Sequence, residues 1–372
     1  MLIGVPKEIK THEYRVGLVP ASVREFVDHG HEVMIEGSAG QGIGFSDEDY
    51  RAIGAAVVDT AEEVFAKADM IVKVKEPLSR ECKMLREGQV LFTYLHLAAD
   101  PEQAKGLMES GAVAIAYETV TDDRGGLPLL APMSAVAGRM SIQAGAHYLE
   151  KEQGGAGVLL GGVPGVAAGK VAVLGAGVVG TEAARMAIGL GAQVTVLSRT
   201  AGRLRELDLL FGAMINTVQS NAETVERYVL DADLVVGGVL VTGAAAPKLV
   251  TREMVGRMRP GSVIVDVSID QGGCFETSRA TTHADPVYVE EGVVHYCVTN
   301  MPGAVPRTST FALNNATLRF ALALADLGHE KAMAKDRHLL AGLNVHRGRI
   351  TYEAVARDLG HDYQPPTEAL AA

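Results

Sequence analysis

Residues 170–200 read KVAVLGAGVVGTEAARMAIGLGAQVTVLSRT, and this stretch decides the fold. Val171–Leu174 is an apolar run of strand length. GAGVVG follows at 175–180, then a helical stretch to Leu190, a stop at Gly191, and a second apolar run at Gln193–Leu197. Strand, glycine turn, helix, strand is the context in which GxGxxG carries information. Each glycine has its own physical reason. Gly175 permits the tight turn, Gly177 lets backbone approach a pyrophosphate, and Gly180 lets the helix lie close to the strand. The helix N-terminus then offers free N–H groups and a positive dipole end to the anion. The stretch predicts a dinucleotide site, read here as a nicotinamide one.

The end of the second run bears on which dinucleotide is taken. An NAD site usually carries Asp or Glu there, to hold the ribose 2′-hydroxyl. This chain has Ser198 and Arg199, with Arg203 close behind. A carboxylate repels a 2′-phosphate, whereas a hydroxyl and arginines accept one. The cofactor expectation is therefore NAD or NADP, leaning toward NADP acceptance.

Outward from this unit, the chain alternates strands and helices. Toward the N-terminus, strand-like runs stand at Leu2–Val5, Glu32–Ile35, Ala55–Val58, Met70–Val74, Gln89–Leu95 and Ala112–Ala116. Ser46, Thr60 and Asp100–Pro101 are helix starts, and Gly30 and Gly111 are stops. GGLP at 125–128 marks a boundary, and a helix over about Ser134–Glu152 reads as a connector. A second alternating series runs from Val171 to about Val298. Beyond Pro306 the pattern is helical, over Thr308–Leu327 and Glu330–Leu340, with a frayed tail after Asp362. The expectation is an α/β chain with two doubly wound, Rossmann-like domains and parallel sheets, joined by long helices, with an active-site cleft between them. The domains are expected at 1–127 plus 307–372 (substrate) and 128–306 (dinucleotide).

Composition excludes several classes. The chain has 372 residues, 48 % of them apolar and 21 % charged, and a net charge of −11 from 34 basic and 45 acidic residues. No basic block stands out, so no nucleic-acid partner is expected. The most apolar stretch, 156–180, is broken by glycines, Pro164 and Lys170, so no membrane span is expected. Three scattered cysteines, Cys82, Cys274 and Cys297, argue against a disulfide framework or zinc site and for a reducing cytoplasm.

Four polar residues stand in positions suited to chemistry. Arg15 lies in the loop after the first strand, Lys75 and His96 each end an apolar strand, and Asp270 follows the strand Val263–Val267. Parallel α/β sheets bind ligands outside the carboxyl ends of their strands. Asp266 is a rival acid, but its Val–Asp–Val setting inside a strand reads as structural.

Four longer stretches carry a family resemblance. GVPKEIKTHEYRVGLVP at 4–20 resembles the start shared by alanine dehydrogenases and the alpha subunit of proton-translocating transhydrogenase. PMSAVAGRMSIQAGAHYLEK at 132–151, LLGGVPGVAAGKVAVLGAGVVGTEAARMA at 159–187, and the block from Ile264 to Thr310 resemble alanine dehydrogenase specifically. That family implies reversible oxidative deamination of L-alanine to pyruvate and ammonia, with hydride passing to a nicotinamide. By motif, Arg15 and Lys75 match the substrate-binding positions, His96 the acid/base residue and Asp270 the second catalytic acid. The resemblance places cofactor contacts at Ser134, Val178, Val179, Ser220, Val239, Leu240, Val267, Ser268, Ile269, Asp270, Arg279, Val298, Thr299, Asn300 and Met301. It implies a homohexamer. Two departures stand out: Ser198 replaces the family's usual aspartate, and Arg319 replaces a usual proline. The late segment ALALADLGHE lacks the Glu/His spacing for a divalent metal that some members carry, so no metal is expected. The alternatives are the soluble transhydrogenase alpha subunit, a related amino-acid dehydrogenase and a non-catalytic dinucleotide sensor.

Overall fold

The computed structural model describes residues 1–239 and 246–371. They divide into two units, Met1–Met133 with Val305–Ala372, and Ser134–Ala304. The sequence reading had placed the breaks at 127/128 and 306/307.

In the first unit, β1 (Leu2–Val5), β2 (Glu32–Glu36), β3 (Ala56–Val58), β4 (Met70–Val72), β5 (Val90–Thr93) and β6 (Val113–Ala116) run parallel in the order β3-β2-β1-β4-β5-β6. Strands β4, β5 and β6 are buried throughout, as expected for a sheet covered on both faces. The sequence punctuation acts locally. Ser46 closes a capping box with Asp49, Thr60 accepts the Glu63 N–H, and Asp100 accepts the Gln103 N–H one residue before Pro101.

The chain's late segment corrects the reading of it as helical. Leu343–His346 pairs antiparallel with β6, and Arg349–Ile350 pairs antiparallel beyond it. Arg347 and Gly348 both have positive φ, which is what a two-residue hairpin needs. The sheet is thus mostly, not wholly, parallel. The expected helix Glu330–Leu340 is broken at Asp336, whose side chain caps a second short helix at Arg337–Leu340. The tail forms a helix at Pro366–Ala371 that buries Ala369.

The second unit repeats the winding. β7 (Lys170–Leu174), β8 (Gln193–Ser198), β9 (Ile215–Gln219), β10 (Leu234–Gly237), β11 (Val263–Asp266), β12 (Val287–Glu290) and β13 (Val293–Tyr296) lie in the order β9-β8-β7-β10-β11-β13-β12, with only β12 antiparallel. The helix Val178–Gly189 buries Gly180, Ala183, Ala184 and Ala187, a face of small residues at helical spacing. In each unit the strand order reverses once, between β1 and β4 and between β7 and β10. Ligands of open α/β sheets bind at such reversals, outside the carboxyl ends of the strands.

Candidate active site

In the first unit three of the singled-out residues lie in the segments that follow neighbouring strands. Arg15 follows β1, Lys75 follows β4 and His96 follows β5, and these strands are adjacent. Neither Lys75 nor His96 ends a strand, contrary to expectation. β4 stops at Val72 and β5 at Thr93, because the chain leaves the ladder to enter the loops that carry these side chains.

Arg15 is buried, and Glu13 holds it. The guanidinium donates from Nε to Glu13 Oε1 at 2.7 Å and from Nη2 to Glu13 Oε2 at 2.5 Å, while Nη1 lies 3.2 Å from Met133 Sδ. Burial works against the charge, but the Glu13 hydrogen bonds and charge outweigh it and raise the pKa above the ordinary arginine value. Glu13 occupies the Nε/Nη2 edge and so fixes the guanidinium plane in advance, and a positive charge of fixed orientation suits recognition of a carboxylate.

Lys75 is largely covered and pairs with Glu76, Nζ to Oε2 at 3.2 Å. Lys10 takes the other Glu76 oxygen. Burial pushes the Glu76 carboxyl up, but Lys75, the Lys10 hydrogen bond and the charge of His96 bring it down to about 2. His96 adopts a left-handed conformation with φ 50°. A non-glycine residue there is uncommon and is held by its surroundings. Glu118 does the holding, accepting the His96 N–H at 2.6 Å and the Leu95 N–H at 3.1 Å. The imidazole stacks on Tyr94, with centroids 5.7 Å apart and planes 7° apart. Tyr94 is buried and donates to the Leu129 carbonyl at 2.6 Å. Sequence reading missed Glu13, Glu76, Tyr94 and Glu118. The signal was present in the first two, since each adjoins or nearly adjoins a singled-out cation.

The second unit builds the dinucleotide turn. Gly175 has φ 112°, and a Cβ there would meet the Gly238 carbonyl oxygen at 2.5 Å. A Cβ at Gly177 would meet nothing within 4 Å, so this face is open to an anion. A Cβ on Gly180 would lie 1.9 Å from the Gly175 oxygen, so the helix sits against the turn only because the side chain is absent. Gly177 caps the helix that begins at Val178, whose side chain is exposed beside a partly covered Val179. This arrangement fits a pyrophosphate.

The other singled-out residues of this unit lie mostly at the same strand edge. Ser198 ends β8, and its Oγ accepts the Thr200 N–H at 3.2 Å. Arg199 is exposed. Arg203 folds over the glycine turn, donating from Nε to the Ala176 carbonyl at 3.0 Å, and pairs with Glu206. Ser220 follows β9 and donates its N–H to the Ser198 carbonyl at 3.0 Å. Val239 follows β10 and Ser268 follows β11. The Ser268 hydroxyl ties the two strand ends together, accepting the Val239 N–H at 2.9 Å and donating to its carbonyl at 2.8 Å. Leu240 lies outside the described residues.

Val267, Ser268, Ile269 and Asp270 form a 3-10 turn after β11, which ends at Asp266 and not at Val267 as expected. Asp270 is exposed there. Asp266, the rival acid, is fully buried and accepts from the Ser268 and Cys274 N–H groups and from the Ser278 hydroxyl at 2.6 Å. It holds the loop together. Arg279 stacks over the Tyr288 ring at 3.7 Å. Val298, Thr299, Asn300 and Met301 follow β13, with Val298 and Met301 buried. Ser134 lies in the first turn of the helix Ala131–Tyr148, one turn before Gly138, where a Cβ would meet the Val179 carbonyl oxygen at 2.4 Å. Among the described residues no group of three or more His, Cys, Asp or Glu side chains is arranged to hold a metal ion.

A family model described as Alanine dehydrogenase/PNT, N-terminal domain, matches residues 4–137, and one described as Alanine dehydrogenase/PNT, C-terminal domain, matches residues 141–353. The chain belongs to the alanine dehydrogenase/PNT family. Members similar to it include the alanine dehydrogenase of Halomonas elongata, 60 % identical over 98 % of each chain. That of Bacillus subtilis is 56 % identical over 100 % of this chain and 98 % of its own. A solved L-alanine dehydrogenase superposes with a TM-score of 0.94 at 54 % identity, covering 97 % of this chain and 99 % of that one. A transhydrogenase from Sinorhizobium meliloti matches with a TM-score of 0.82 at 24 % identity, over 95 % of this chain and 100 % of that one, and shares the fold. Within the family, this chain thus stands much nearer in sequence to the dehydrogenases than to that transhydrogenase.

Proposed function

We propose that this chain is an L-alanine dehydrogenase, catalysing reversible oxidative deamination of L-alanine to pyruvate and ammonia. The observation that carries the reading is the trio in the segments after β1, β4 and β5: a pre-oriented guanidinium, a lysine ammonium and an imidazole at one edge of the sheet. A small amino acid offers a carboxylate to the two cations and an amine to the imidazole. The Gly175–Gly180 turn would hold the pyrophosphate of a nicotinamide dinucleotide, which would supply hydride acceptance. Val178, Val179, Ser134, Ser220, Val239, Ser268, Arg279 and the 298–301 segment are the residues assigned to hold it. Their backbone groups and hydroxyls suit phosphates and riboses.

The residue roles follow from their chemistry. Arg15 grips the substrate carboxylate with a fork that Glu13 fixes, and Lys75 adds a point charge beside it. His96 takes the amine proton and later passes a proton between water and substrate, a role suited to imidazole near neutral pH. Asp270 steers the attacking water as the second acid. Orientation by these groups supplies much of the rate.

The finer assignments belong to the same proposal. Ser198, Arg199 and Arg203 put a hydroxyl and two cations where an NAD site usually has an acid, so the site accepts NADP as well as NAD. The enzyme is a cytoplasmic homohexamer. The cysteines Cys82, Cys274 and Cys297 are unpaired and buried, which fits a reducing compartment. No helix among the described residues is long and apolar enough to cross a membrane.

The test is a steady-state assay of pyruvate with NADH and with NADPH, with and without ammonia. Ammonia-dependent oxidation of the cofactor is expected. Ammonia-independent oxidation, or none, sinks the reading, and a preference for NADH above tenfold sinks the NADP assignment alone.

A further inference from the structure

Lys73 lies inside the sheet with no exposed surface, two residues before Lys75. Its Nζ pairs with Glu8 Oε2 at 3.2 Å and Glu81 Oε1 at 2.8 Å, and both carboxylates are themselves almost fully buried. Burial works against the lysine charge, yet the two carboxylates keep its pKa above the ordinary lysine value. Such a buried triad is a poor way to gain stability, since apolar side chains of similar volume often serve as well. Its geometry suggests another use.

The second oxygen of Glu8 does not face Lys73. Glu8 Oε1 accepts the Val74 N–H at 2.7 Å and the Lys75 N–H at 3.1 Å. The Lys75 carbonyl accepts the Thr93 hydroxyl at 3.0 Å, and the Lys73 carbonyl accepts the Tyr117 hydroxyl at 3.0 Å. Glu81 instead accepts the Leu78 N–H at 2.8 Å, at the start of the helix Ser79–Cys82. Beyond β4, the Lys73 N–H still reaches the Phe92 carbonyl and the Val74 carbonyl still accepts the Tyr94 N–H, and these side chains satisfy the other polar groups of the segment.

We infer that Glu8 is a positioning residue for Lys75: anchored on buried Lys73, it fixes the backbone that aims the Lys75 ammonium at the substrate carboxylate. This role rests on the substrate-binding function proposed for Lys75. It needs a carboxylate in particular. Glutamine at position 8 has one acceptor oxygen and cannot serve both Lys73 and the two N–H groups.

The experiment compares Glu8→Gln with Glu81→Gln, each of which removes one charge facing Lys73, and runs Lys75→Ala alongside. Melting temperature, kinetics with pyruvate, ammonia and NADH, and hydrogen exchange of the 74–75 amides are measured on the full chain. E8Q and E81Q are expected to lower the melting temperature alike. Only E8Q is expected to lower pyruvate kcat/KM at least tenfold and speed 74–75 exchange, with the KM for NADH within twofold of the parent. E81Q is expected to change pyruvate kcat/KM by less than threefold. Equal kinetic losses in E8Q and E81Q, or unchanged 74–75 exchange in E8Q, overturn the role. If E8Q does not fold, Glu8→Asp replaces it, because the shorter side chain cannot span both partners, and the same outcomes decide. If K75A keeps normal pyruvate kcat/KM, the proposed function of Lys75 falls and the role of Glu8 with it. If K75A is impaired and E8Q is not, the role of Glu8 falls alone.

Discussion

Glu76 pairs with both Lys10 and Lys75, and its charge is part of what holds the candidate site together. Its folded pKa of about 2 lies below the ordinary value of 4.5. A carboxyl depressed in this way contributes stability above about pH 4.5 and loses it as the pH falls toward 2. The pH-dependent part is on the order of 3 kcal/mol. The melting temperature should therefore drop more steeply with acid in the parent than in Glu76→Gln, and the gap between them should close near pH 2. A gap that stays constant over that range would mean the ion pairs contribute nothing that titrates. Ser198 carries a second prediction at this scale. Ser198→Asp places a carboxylate where a 2′-phosphate would lie, so kcat/KM with NADPH should fall at least tenfold while NADH is used as well as before. Equal losses with both cofactors would show that Ser198 does not face the ribose.

The turn and helix after β7 invite a comparison of two glycines. Gly180→Ala puts a methyl 1.9 Å from a backbone oxygen. Helix and turn must then part, and a loss of about 2–4 kcal/mol is expected, as for overpacking against backbone. Gly177→Ala puts a methyl into open space, where the fold has no objection. Its melting temperature without cofactor should match the parent, while the Kd for NADH rises at least tenfold because backbone approach to the pyrophosphate is blocked. Thermal melts and cofactor titrations of both variants check this. If Gly177→Ala binds NADH normally, the anion does not approach the turn at that residue.

The proposed function divides the chemistry between the two units, and one variant tests the division. His96, proposed above as the acid/base residue, belongs to the first unit, whereas the glycine turn is built wholly within the second. His96→Ala should lower kcat by about 100- to 10,000-fold, the usual contribution of general acid–base catalysis. Its affinity for NADH should stay within twofold of the parent. Near-normal turnover would remove His96 from the mechanism, and lost cofactor binding would show a role in folding instead. Both units repeat one winding, with a strand-order reversal in each. The chain shares this fold with a transhydrogenase at 24 % identity, so the winding alone does not name the reaction.

The sequence by itself determined the α/β class, the glycine turn and the helix starts at Ser46, Thr60 and Asp100. These depend on periodicity and on capping within a few residues. It also marked Arg15, Lys75 and His96, because each is a cation or imidazole next to an apolar run. The tertiary structure decided what those residues rest on. Glu13, Glu76 and Tyr94 lie within two residues of the groups they meet, but Glu118 reaches the His96 N–H across 22 residues of sequence and Glu8 meets Lys73 across 65, contacts that no short spacing encodes. The late strand Leu343–His346 was likewise hidden. It is only four residues long, and its partner β6 lies some 230 residues earlier, so its pairing is non-local and leaves no periodic trace. Strand ends were misjudged at β4 and β5 for a related reason. Val74 and Leu95 are apolar like the strand residues before them, but their N–H groups go to the Glu8 and Glu118 carboxylates and not to a neighbouring strand.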